Sequence, residues 1–87
     1  MNRLKWRQTR ITNMVLNLLG RYHVQWRCVE VNHMPGESVK WDVFQVTIEV
    51  GLPMLPSQHI ALMDMADRWH FKVRVWSAQD GPAVLEA

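Results

Sequence analysis

Ile11, Met14, Val15, Leu18 and Leu19 recur at i, i+3, i+4, i+7 and i+8, the spacing of one apolar stripe on an α-helix. Arg10, Asn13, Asn17 and Arg21 then fall on the wet side of that helix. Thr9 or Thr12 is placed to cap its start, and Gly20 stands where a left-handed residue would end it. A second helix is expected from Ser57, as cap, to about Trp69. Its stripe is Ala61, Leu62, Met65, Ala66 and Trp69, with Ile60 and Met63 lying off it.

Elsewhere the period is two, as in a strand. From Tyr22 to Val31 the apolar positions first alternate through Val24, Trp26 and Cys28, then shift phase to Val29 and Val31; a bulge near Cys28 would explain the shift, as would burial of both faces at one end. Pro35-Gly36 signals a turn, and Val39 to Val50 is the return arm of a hairpin with Phe44, Val46, Ile48 and Val50 on its apolar face. Phe71, Val73 and Val75 alternate with Lys72, Arg74 and Trp76 in a last strand. At the start of the chain Leu4 and Trp6 alternate with Arg3, Lys5 and Arg7, which reads as a short first strand. Residues 77–87 carry turn residues without a period and read as a flexible tail after a single domain spanning 1–76.

The order strand, helix, strand, strand, helix, strand is the ferredoxin-like βαββαβ arrangement, an α+β sandwich with two helices on one face of an antiparallel sheet. Without the first strand the order is αββαβ. Period-two alternation makes the uncovered face of that sheet carry Arg3, Lys5, Arg7, Arg27, Lys72 and Arg74, together with Trp41 and Trp76.

Charge sharpens this picture. The first 27 residues hold six cations and no acid, and the other sixty hold four cations and eight acids, so the net +2 is the sum of +6 and −4. Such a split sets up a local field that the net charge hides, and it favours a negatively charged partner. Cations track phosphates and aromatic rings stack bases, so a basic, Trp-bearing sheet face suits single-stranded nucleic acid. The first reading of that face is nonetheless contact with a protein partner or a second copy of the chain, with single-stranded nucleic acid as the alternative. The loop from Gly51 to Pro56 is unusually apolar, and Leu52, Met54 and Leu55, with Ile60 and Met63, form a candidate interface of that kind. Five Trp and six Met in 87 residues supply adaptable contact area for either use.

Little catalytic chemistry is expected. The four His and single Cys28 lack metal-ligand spacing, the four Gly stand apart, and no nucleophile–base pair is legible, so neither metal nor cofactor is called for. A lone cysteine forms no internal disulfide, which suits a reducing compartment. No apolar segment follows the basic start as a signal peptide requires, and no apolar run approaches the ~20 residues of a membrane span. The chain is expected to be cytoplasmic, non-enzymatic and without a membrane partner.

The stretch from Ile11 to Val31, with the later Gln-Val-Thr-Ile-Glu-Val, a helix and Phe-Lys-Val-Arg-Val, resembles the regulatory ACT domains over about residues 11–76. That resemblance implies a ferredoxin-like fold, pairing of domains through sheets or helices, and small-ligand sensing, often of amino acids, at a dimer interface.

Overall fold

The computed structural model describes residues 3–36, 43–77 and 84–86. In chain order the elements are α1 (Arg3–Arg21), β1 (Trp26–Met34), β2 (Val43–Val50), α2 (Pro56–Trp69), β3 (Phe71–Ser77) and β4 (Val84–Glu86). The protein is an α+β fold with one four-stranded sheet in the order β1-β2-β3-β4. β1 and β2 are antiparallel, β2 and β3 parallel, and β3 and β4 antiparallel.

Two expectations are corrected here. Residues 3–7 are not a strand but the first turns of α1. Five alternating residues are too few to fix a period of two, and Leu4 also continues the helical stripe by a spacing of seven to Ile11. It packs, half-buried, against the core. The second correction follows from the first. The sheet is mixed, and the ferredoxin-like βαββαβ order is absent among the described residues. A helical crossover makes β2 and β3 run the same way. In the split arrangement an intervening strand separates them; with residues 3–7 helical they pair directly. The αββαβ order stated as the alternative describes the chain through Ser77. Residues 84–86, assigned above to a tail, pair with β3 as β4.

The register sorts the strands into two faces. Val29, Ile48 and Val75 form one cross-strand row, Val31, Val46 and Val73 the next, and His33, Phe44 and Phe71 a third. These rows meet Ile11, Val15, Leu18 and Leu19 of α1 and Leu62 and Ala66 of α2 in a single core. Both helices therefore cover the same face. Of the two explanations for the phase shift the structure has the bulge, between Trp26 and Cys28, and it moves Cys28 to the outer row with Glu49.

The helix ends differ from their sequence expectations. Thr12 donates its hydroxyl to the Gln8 carbonyl inside α1 instead of capping it. Gly20 is helical, and the left-handed residue is His23, with φ 58°. α2 begins after Leu55 with Pro56 in its first turn, and the Gln58 side chain reaches back to accept from the Leu55 N–H. Ser57 is thus one step inside the helix, where its hydroxyl is no longer at the cap. His70 ends α2 in the left-handed region, with its N–H donating to the Ala66 carbonyl.

Candidate binding channel between the two helices

α1 and α2 run antiparallel. Near the start of α1, the Arg7 guanidinium donates to the Trp69 carbonyl at the end of α2 (3.4 Å). At the opposite end, the Gln58 amide of α2 donates to the Tyr22 carbonyl just past α1 (2.8 Å). Between these ties the helices leave two adjoining clefts of about 380 and 540 Å³ that share Met14, Arg68 and Trp69. Leu18, Ala61 and Met65 extend the apolar floor at one end, while Trp6, Arg7 and Arg10 line the other.

The chemistry of this channel centres on Arg10. Its guanidinium lies 5.4 Å from the Trp6 ring and 5.4 Å from the Trp69 ring, within cation–π range of both. Trp6 is 49% exposed and Trp69 39%, so both indoles keep accessible surface. Trp6 and Arg10 are neighbours because four residues make about one helical turn. Arg7, half-buried, sits 5.7 Å over the Phe44 ring and faces the negative end of the α2 dipole. Arg21 and Arg68 line the other cleft, with Arg68 held 3.2 Å from the Asp64 carboxylate.

Four arginines therefore line the channel against one acid, Asp64. α1 itself carries Arg3, Lys5, Arg7, Arg10 and Arg21 and no acidic residue. Cations in its first turns oppose the positive end of the helix dipole, so fold stability alone does not favour them there.

The residues singled out from the sequence divide into three groups. Arg3, Lys5 and Arg7 lie on α1 and not on the sheet. Trp41 lies outside the described residues. Lys72, Arg74 and half-buried Trp76 are on the outer sheet face as expected, in rows with Asn32–Gln45, Glu30–Thr47 and Cys28–Glu49. Arg27, at the bulge, reaches Glu49 at 4.0 Å. Among the described residues the rows of that face hold three cations and the three acids Glu30, Glu49 and Glu86, so the strongly basic sheet expected above is reduced to balance.

The candidate apolar interface is partly exposed. Leu52, Leu55 and Ile60 are open to solvent, while Met54 and Met63 pack against the core. Gly51 donates to the Gln25 carbonyl and Gln58 to that of Tyr22, which brings the loop beside exposed Tyr22 and Trp26. Among the described residues no three His, Cys, Asp or Glu groups gather as metal ligands, and no helix is long and apolar enough to cross a membrane.

Trp6, Arg10, Met14, Arg68 and Trp69 were not among the site residues expected from the sequence. The signal lay in the wet stripe Arg10, Asn13, Asn17 and Arg21: extended back by one turn it reaches Trp6. Pairing with Trp69 depends on the antiparallel packing of two distant helices, which no local spacing records.

No protein-family profile, no curated protein and no solved structure matches this chain.

Proposed function

We propose that this chain is a non-enzymatic binding protein that takes a negatively charged macromolecule along the channel between α1 and α2. The observation that carries this is the placement of Arg10 between Trp6 and Trp69, in a channel lined by four arginines and one acid. A concave surface of one sign concentrates field and speeds capture of an opposite charge. The test is equilibrium binding to a linear polyanion such as polyphosphate. Affinity should fall steeply as salt rises, and absence of binding at low salt would remove the proposal.

A second surface supports the expectation of a protein partner, here a second copy of the chain. Tyr22, Trp26, Leu52 and Leu55 are exposed at one end of the molecule, away from Trp6. Grouped exposed apolar side chains favour contact over hydration. Sedimentation over a micromolar concentration series should show association that Leu52→Asp with Leu55→Asp abolishes. A concentration-independent monomer would exclude it. Sensing of a small ligand at such an interface, as the ACT resemblance implies, would appear as a rise in melting temperature with an added amino acid.

A further inference from the structure

We infer that the polyanion held by the α1/α2 channel is a single-stranded nucleic acid, with Trp6 and Trp69 stacking bases and Arg10 and Arg21 meeting phosphates; this rests on the anion-binding reading just given. Two chemistries coincide in the channel. Arginines recognise phosphate by charge and by paired N–H groups. Exposed indoles offer flat apolar surface, which polyglutamate and polyphosphate have no ring to cover. A nucleotide carries both halves of the match, a phosphate and a flat base, joined at short range. Stacking on aromatic side chains and tracking of the backbone by cations is the general mode of single-strand capture.

The geometry also selects single strands over duplex. From Arg7 to Arg21 the channel wall rises about 21 Å along α1. That length accommodates several nucleotides in a row. In a duplex the bases are covered by their neighbours, so only phosphates would reach the channel and the indoles would contribute nothing. The partial apolar floor of Met14, Ala61 and Met65 suits the sugar and base edges as they pass.

The experiment uses the full chain and four probes: a mixed-sequence DNA single strand of about ten nucleotides, the same sequence as duplex, polyphosphate and polyglutamate. The single strand should bind most tightly and quench tryptophan fluorescence. Raising salt from about 50 to about 200 mM should weaken it about 20-fold for three phosphate contacts. Trp6→Ala should lower single-strand affinity by about fivefold or more and lower polyphosphate affinity by clearly less, and Trp6→Phe should restore most of the single-strand affinity. Trp69→Phe serves in place of the alanine variant, because Trp69 adjoins the tie between the helices, and it should keep binding but shift the quench. Equal affinity for all four probes without dependence on Trp6 would overturn the inference and leave the anion-binding proposal standing. Tighter binding of duplex or polyglutamate would also overturn it. No binding of any probe would overturn both.

Discussion

The guanidinium of Arg10 on α1 lies 5.4 Å from the ring of Trp69 at the last turn of α2. The same guanidinium is equally close to Trp6, one turn earlier on its own helix. This contact and the Arg7 bond to the Trp69 carbonyl fasten the N-terminal turns of α1 to the C-terminal turn of α2. Fold and charge thereby meet in one place: the segment richest in cations is held against an indole instead of being spread over the open sheet.

The electrostatics of α1 set stability against binding. Lys5 is in the first turn, where an acid would favour the dipole and a cation opposes it. Lys5→Glu should raise stability by about 0.3–1 kcal/mol in urea denaturation. The same variant should weaken polyanion binding. A loss of stability together with unchanged binding would contradict this account of the helix.

His23 occupies the left-handed region at φ 58° beyond α1 and is exposed. That conformation costs a non-glycine residue about 1–2 kcal/mol, partly offset in glycine by chain entropy. His23→Gly should therefore stabilise the protein by about 0.5–1 kcal/mol, read as a higher denaturation midpoint with an unchanged slope.

Packing is concentrated in the cross-strand rows. Phe44 is 1% exposed, and Phe44→Ala should cost about 3–5 kcal/mol. Ile60 is 67% exposed, and Ile60→Ala should change stability by less than about 0.5 kcal/mol. Comparable losses at the two positions would mean the face assignment of α2 is wrong.

Gln8 of α1 donates its side-chain amide to the Val31 carbonyl on β1, the edge strand of the sheet. Removing it in Gln8→Ala should cost about 0.5–1.5 kcal/mol. It should also speed amide exchange along β1 more than along β2, because β2 is paired on both sides.

Much of the fold was legible where one period runs for several turns or residues. The stripe from Ile11 to Leu19, the alternation of Phe44 to Val50 and that of Phe71 to Val75 each became the element expected, with the apolar side buried. The phase shift after Cys28 left a bulge and burial of both faces open, and the register shows the bulge. The errors arose where periods compete. Arg3 to Arg7 satisfies two for five residues, but the residues after it continue a helix, and a helix gains by extending an existing turn. From that single reassignment followed the parallel pairing of β2 with β3 and the transfer of Arg3, Lys5 and Arg7 from sheet to helix. The channel was less legible than the fold. Trp69 appeared only as a core residue, because its half-exposure depends on where α1 crosses it. The outer sheet face retained Lys72, Arg74 and Trp76, but register set Arg74 opposite Glu86 and Trp76 opposite Glu49, which strand periodicity alone does not pair.

The central claim is that the binding charge resides in the helical channel and not on the sheet. It is tested most directly by comparing Arg10→Ala with Arg21→Ala in one variant against Lys72→Ala with Arg74→Ala in another. Each pair removes two cations, so the net charge falls equally. Measured on a single-stranded oligonucleotide at fixed low salt, the helical pair should lose about tenfold or more in affinity and the sheet pair much less. An equal loss in both, or a larger loss in the sheet variant, would contradict the account.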